Sequence, residues 1–482
     1  MSGTSAAHSN GLLARFGEHL KQGDVLAELA GGLVGRDATI DGPFGRKPLV
    51  YADYVASGRA LMQIERFMIE EVLPFYANSH TEASYCGGFM TRLRQEARAV
   101  IAAHCGAGPE HAVIFTGSGA TAGINRLSAL FGVGPDTLVV IGPYEHHSNI
   151  LPWRESGAEV VEMPETEAGG PDLALLAEVL ATAGKDRRVV CAFSAASNVT
   201  GILTDVPAVT RLVKDAGARM IWDYAGGGPY LPIAMTPKPG AEIDAIVVSP
   251  HKFIGGPGGS GLLVVRRDAV VATRPTWPGG GTVRFVSPAG HDYSGSLEAR
   301  EEAGTPNVVG DIRAALAVLV KEAIGAKAMQ ERNSELVARA VAAWSGVDRI
   351  ELLGSLSAQR LPIFAFRVRD GHGGHVHQQL VTRMLSDCYG IQARGGCACA
   401  GPYVHRLLGI GSDESETMRQ AILAGDEVLK PGFTRLNFSV LLPDEKVDFI
   451  LDSVVRLASE APALVGRYEV DPARAVFFPT AA

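Results

Sequence analysis

Between Leu138 and Val265 the chain alternates short β-branched runs with helical patterns, and this alternation constrains the fold more than any other feature. The runs are Leu138 to Ile141, Arg188 to Ser194, Arg219 to Trp222, Ala245 to Val248 and Leu262 to Val265. Leu173, Leu176, Val179 and Leu180 recur between them at helical spacing, as do Val209, Leu212 and Val213 behind the start signals Asp205 and Pro207. Strands separated by helices specify an α/β fold with a mostly parallel sheet. Polar residues close four of the runs: Glu145 and His146, then Asn198, then Asp223, then Ser249, His251 and Lys252. All follow the carboxyl end of a strand, the edge at which open α/β sheets bind ligands.

Beyond Asp311 the pattern changes to a long helical stretch, Ile312 to Val341, then short strands near Ile350 to Leu353 and Pro362 to Val368. A last helix carries Val447, Ile450, Leu451, Val454 and Leu457 on one face. The expected organisation is an arm over residues 1–45 that packs on the second domain, and a large domain over 46–310. A smaller α+β domain over 311–460 and a tail over 461–482 follow. A length of 482 residues supports two or three domains. With 44 Lys plus Arg against 52 Asp plus Glu and no basic run, nucleic acid is a poor partner. No stretch of 18 apolar residues occurs and Met1 to Asn10 lacks the features of a secretory signal, so a cytoplasmic protein is expected. Six cysteines in so long a chain do not form a disulfide framework, so reduced thiols are expected.

Ser249-Pro250-His251-Lys252 closes one run and is followed by a glycine-rich turn. A lysine desolvated at a strand end can act as an amine nucleophile toward an aldehyde, whereas in a surface turn it is merely solvated. Asp223 shifts that balance, because a buried carboxylate needs a cation, and the protonated pyridine of pyridoxal phosphate is one. Its other reading is a helix cap. Phe115-Thr116-Gly117-Ser118-Gly119-Ala120-Thr121 leads into a helix whose free amides can cradle a phosphate. It lacks the Walker lysine and the dinucleotide spacing. In Glu145-His146-His147 an imidazole can stack on a ring or move protons, and no further ligand completes a metal set. His372, His375 and His377 read more simply as a loop before a helix than as a metal site, so no metal is expected. Cys397 and Cys399 lie in a glycine-rich loop behind Arg394, suited to thiolate chemistry or to two small buried side chains.

Together these residues resemble the class V aminotransferase-like family of pyridoxal phosphate enzymes, on the cysteine desulfurase and selenocysteine lyase branch, over roughly Tyr51 to Leu457. The resemblance implies transferase fold type I, with a large cofactor domain, a small domain and a homodimer whose active sites lie at the subunit interface. It implies that Lys252 holds pyridoxal 5′-phosphate as an imine, that Asp223 pairs with its ring nitrogen and that His146 is a catalytic residue that stacks on the ring and works as an acid and base. Ala120, Thr121, Ser249 and His251 would bind the phosphate, with Thr305 of Gly304-Thr305-Pro306-Asn307 reaching it from the neighbouring subunit. Asn198 would contact cofactor or substrate, and Arg435 would grip the substrate carboxylate. Arg394 lies five positions before Cys399, as in the R-x-G-x-x-C-A pattern of desulfurases of the second type, so Cys399 would carry the persulfide. Gly226 and Ala122 depart from the family, which usually has glutamine and often glutamate there.

The reaction implied is conversion of L-cysteine to L-alanine, with sulfur passed to an acceptor protein. Transamination, C–S lysis or epimerisation without the cysteine are the alternatives on the same scaffold, and a fold that has lost turnover is a third.

Overall fold

The structure, a computed structural model, describes residues 11–79, 82–183 and 187–480. Met1 to Asn10, read above for a leader, lie outside the described residues.

The large domain is built on a seven-stranded sheet. Its order is His111–Gly117, Gly261–Arg266, Ala245–Val248, Arg219–Asp223, Arg188–Ser194, Thr137–Ile141, Glu159–Glu162. Gly261–Arg266 runs antiparallel to both neighbours, and the strands from Ala245–Val248 to the Glu159–Glu162 edge are mutually parallel. Ala245–Val248 and Thr137–Ile141 are buried along their whole length, which is why they read as unbroken apolar runs. Successive residues face opposite sides: Trp222 and Val248 meet Ile312 and Leu316 in one core, while Ile221 and Val247 meet Ile124 and Leu127 in the other. Asp172 and Asp205 cap the helices Leu173–Thr182 and Val206–Asp215, each cap contributing about 1 kcal/mol.

The helical stretch expected from Ile312 to Val341 is two helices, Val308–Ile324 and Ala326–Trp344. Gly325 divides them at φ +82°, a conformation that no residue with a Cβ adopts cheaply. The N-terminal arm divides between the two cores. Helix Leu12–Leu20 puts Leu13, Phe16 and Leu20 into the large-domain core beside helix Val308–Ile324, because those side chains form one apolar stripe. The hairpin that follows, Thr39–Gly42 with Gly45–Pro48, lies against helix Gln378–Tyr389 of the small domain.

The small-domain sheet runs Ile350–Leu352, Ile363–Arg369, Phe433–Asn437, Arg394–Gly396, all antiparallel. Trp344, Phe364, Phe366 and Phe438 pack with Met384 and Ile450 in its core. Val50–Tyr51 pairs in parallel with Ile391–Gln392, which ties the start of the large domain to the small one. The tail is structured: helix Asp444–Leu464 is followed by a hairpin, Tyr468–Asp471 with Val476–Pro479, whose Tyr468 enters the small-domain core. Among the described residues, no helix is long and apolar enough to cross a membrane.

Candidate active site

A cavity of about 230 Å³ opens where the parallel strands end and the small domain begins. Asp223 terminates Arg219–Asp223, and Lys252 follows the adjacent strand Ala245–Val248 in the short turn Pro250–Lys252. Both line the cavity and each feels the other's charge. Asp223 is buried, and its Oδ1 accepts from Ala225 N at 2.7 Å. Burial raises its pKa, while that hydrogen bond and Lys252 draw it back. Desolvation pulls the Lys252 amine down to about 8, helped by Arg435 and Arg394 and opposed by Asp223 and Asp53. A lysine so placed has a substantial neutral fraction near physiological pH.

His146 lines the same cavity. Its pKa falls to about 4 through burial first and then through Lys252, His147 and Arg435, so the imidazole is neutral at pH 7. Its Nδ1 accepts from Ser148 N at 3.1 Å, which puts the proton on Nε2. The loop is anchored by Glu145, a buried carboxyl that accepts from Ser194 N at 2.8 Å, Ser194 Oγ at 2.7 Å and Asn149 Nδ2. Burial nonetheless pushes Glu145 up to about 8.

The opposite wall comes from the small domain. Arg394 and Arg435 are directly paired across antiparallel strands, a juxtaposition that like charges disfavour. Asp53 resolves it: Oδ1 accepts from Arg435 Nη2 at 2.9 Å and Oδ2 from Arg394 Nε at 3.0 Å. The Val50–Tyr51 pairing with Ile391–Gln392 is what delivers Asp53 there. Arg435 is buried, donates from Nη1 to Asn198 O at 2.9 Å, and keeps its Nε without a partner. Asn198 donates from Nδ2 to Ala398 O at 2.8 Å, and its buried Oδ1 is unpaired. An unpaired donor and acceptor at one cavity call for a polar ligand.

At the third side, helix Gly119–Leu130 begins behind Ser118, which makes no side-chain cap. Gly119 has φ +62°, and a Cβ there would lie 2.9 Å from Ser249 Oγ. The close approach lets Ala120 N donate to Ser249 Oγ at 2.9 Å. Ala120, Thr121, Ser249 and His251 all line the cavity, with Thr121 Oγ1 2.7 Å from Ser148 Oγ. This corner carries hydroxyls and helix-start amides, an arrangement suited to an anion.

Cys399 is exposed and stands at the cavity wall next to Ala398. Gly226 lines the cavity as well, and a Cβ on it would meet Ala196 O at 3.3 Å, so this wall is flat backbone.

Of the residues expected at the site, Thr305 alone lies outside this cavity, exposed just before helix Val308–Ile324. His375 pairs with Glu351, and His377 bonds to the Val428 carbonyl. Among the described residues no group of three or more His, Cys, Asp or Glu is placed to hold a metal. Sequence reasoning missed Asp53 and the anchoring roles of Ser148 and Ser194. Asp53 lies just beyond a short strand, but that strand has only two residues and leaves no readable run. A groove of about 620 Å³ between residues 26–37 and 440–446 is larger. Its charges are engaged with one another or with backbone carbonyls, as in Arg36 with Asp37, Arg332 with Asp444, Arg59 with Val34 O and Lys446 with Arg36 O.

The profile described as Aminotransferase class-V matches residues 50–425. The chain is 30% identical over 369 residues to a protein of Serratia proteamaculans (strain 568) named cysteine desulfurase, covering 74% of this chain and 85% of that protein. It is 30% identical over 382 residues to the probable cysteine desulfurase 2 of Mycobacterium leprae (strain TN), covering 76% and 86%. Among solved structures, the apo cysteine desulfurase of Thermococcus onnurineus NA1 superimposes with a TM-score of 0.70 at 24% identity, over 85% of this chain and 95% of that one. A cysteine desulfurase of Escherichia coli in its S-sulfonic acid form gives 0.69 at 23%, over 90% and 98%. These two likenesses bear on the fold. The profile match ends before Arg435, whose place at the site rests on the geometry above.

Proposed function

The chain belongs to the class V aminotransferase family, and from that premise we propose that it is a pyridoxal 5′-phosphate-dependent cysteine desulfurase that moves the sulfur of L-cysteine onto Cys399 and releases L-alanine. The observation that carries the reading is one cavity holding a desolvated lysine, a buried aspartate and an exposed thiol.

The residues fit the cofactor. The unpaired Asn198 Oδ1, the buried Asp223 carboxylate, and the Gly119–Thr121 corner with Ser249 and His251 match its polar edge, ring nitrogen and phosphate. When bound, it supplies an aldehyde for covalent attachment and a cationic ring that accepts carbanion charge. Lys252 holds the cofactor and then serves as the base for the substrate α-proton. Asp223, ionised beside a cation, keeps the ring nitrogen protonated. His146 offers a flat, uncharged face that does not compete for Asp223. Arg435 takes the substrate carboxylate, its guanidinium already aimed by Asp53 and the Asn198 carbonyl. The Cys399 thiolate attacks the substrate sulfur. An S–S bond forms and the C–S bond breaks, its electron pair passing to the substrate carbon, which takes up a proton and leaves as alanine. Thr305 lies outside its own chain's cavity, and we assign it to the phosphate site of a second copy in a homodimer. An acceptor thiol on another protein can reach Cys399 because that side chain is exposed.

Product analysis tests the reading. L-Cysteine is expected to yield alanine with sulfur retained on the enzyme, whereas pyruvate with ammonia, or a new keto acid, would overturn it. The lowered Lys252 pKa sets a pH dependence. Only the neutral amine attacks an aldehyde, so cofactor attachment by the apoprotein should accelerate as pH rises through about 8 and level off above it. An ordinary lysine would keep accelerating beyond pH 10. Stopped-flow absorbance after mixing reads that midpoint. Asp53→Asn removes the anion between two paired guanidinium groups, so KM for cysteine should rise about tenfold, with a smaller change in kcat. A steady-state comparison in which kcat falls while KM holds would contradict the positioning role.

A further inference from the structure

We propose that Cys397 is a resolving thiol: it displaces the sulfur carried on Cys399 as hydrosulfide and leaves a Cys397–Cys399 disulfide, which a dithiol reductant reopens. The proposal rests on Cys399 carrying sulfur, as proposed above.

Residues 397–400 form a tight turn in which Ala400 N donates to Cys397 O at 3.1 Å. Its central residues, Ala398 and Cys399, have φ +49° and +54°, the pattern of a type I′ turn that usually needs Asn or Gly. Two L residues stay in this left-handed region because the turn is clamped from outside. Asn198 Nδ2 donates to Ala398 O at 2.8 Å, His147 N to Cys399 O at 2.7 Å, and Gly401 N to His147 Nε2 at 2.9 Å. Each clamp comes from, or reaches, a segment that also lines the cavity. The turn folds the chain back between the cysteines, so their Cα atoms lie closer than the ~7 Å that two residues span when extended. A disulfide closes over a Cα separation of about 4.4–6.8 Å. The two thiols occupy different surroundings. Cys399 is exposed at the cavity, while Cys397 is partly buried against an apolar cluster that includes Tyr403 and Phe433. Nothing in the sulfur transfer from substrate uses Cys397.

With Cys399 present as –S–SH, the Cys397 thiolate attacks the Cys399 Sγ. The bond from Sγ to the terminal sulfur breaks, its electron pair leaves as HS⁻, and the Sγ–Sγ bond forms. The terminal sulfur is reduced to sulfide and the two cysteines are oxidised to the disulfide. Two electrons and two protons from a dithiol restore both thiols. Hydrosulfide is a weaker base than an alkyl thiolate, so it is the better leaving group and attack at Sγ is the favoured direction.

The test follows the sulfur in the full-length, cofactor-loaded protein without reductant. L-Cysteine is supplied in one arm and inorganic polysulfide, which sulfurates cysteine directly, in the other. Alanine in the first arm reports on the desulfurase reading, and the state of the 397–399 peptide reports on Cys397. The expected result is about one sulfide per alanine for a single turnover, then arrest, with the peptide lighter by two hydrogens and turnover restored by dithiothreitol. Cys397→Ser and Cys397→Ala should keep the added sulfur on Cys399 and release sulfide at least about tenfold more slowly. A disulfide from polysulfide without alanine from cysteine would sink the desulfurase reading and leave the resolving pair standing. The proposal is overturned if no disulfide forms in either arm, if the sulfur is recovered on Cys397 as a persulfide, or if both variants release sulfide at the parent rate.

Discussion

Replacing Cys399 by alanine is expected to lower alanine formation from L-cysteine by about 10³-fold or more while leaving the bound-cofactor absorbance unchanged. The two effects separate because of where the residue sits. Cys399 belongs to an exposed turn on the small-domain side, whereas the groups assigned to the cofactor come from the strand ends and the start of helix Gly119–Leu130. Loss of the thiol removes the sulfur nucleophile without touching Lys252, Asp223 or the phosphate corner. Transamination, elimination and epimerisation do not need that thiol, so the same variant tested against them should keep its rate. A Cys399→Ala protein that still made alanine at the parent rate would remove the persulfide role and return the assignment to those reactions.

Lys252→Ala is expected to be as severe, by a different route. It removes the only amine that we assign to covalent attachment and proton abstraction, so turnover should fall by about 10³-fold or more. The site would also lose the cation that draws the buried Asp223 toward its ionised form. Lys252→Arg should not restore activity, because a guanidinium is charged throughout the accessible pH range and is no nucleophile. Steady-state rates together with borohydride reduction check both statements. A Lys252→Arg protein with parental kcat would contradict them.

The parallel sheet and the residues closing its strands were readable because a strand covered on both faces is a continuous apolar run, and the polar residues after it mark the ligand edge. Asp223, Asn198 and Lys252 were found in this way. Features settled by long-range pairing were not readable. Asp53 reaches Arg394 and Arg435 only because the two-residue strand Val50–Tyr51 pairs with Ile391–Gln392, more than 300 positions away. The cross-strand register that sets Arg394 opposite Arg435 is equally invisible in the chain. The break at Gly325 was missed because apolar spacing continues on both sides of it, and a glycine in a helical pattern marks a break only when its φ is known. That the arm divides, its Leu13–Phe16–Leu20 stripe against helix Val308–Ile324 and its hairpin against helix Gln378–Tyr389, is a choice of partners that periodicity alone does not make. The left-handed conformations of Ala398 and Cys399 ran against local preference, since neither residue type favours that region.

The most direct test is to mix the purified chain with pyridoxal 5′-phosphate, reduce with borohydride and map the modified peptide by mass spectrometry. A single phosphopyridoxyl adduct on Lys252 is expected, lost on Asp223→Ala or formed much more slowly. An unmodified Lys252, or an adduct confined to another desolvated lysine such as Lys321, would contradict it.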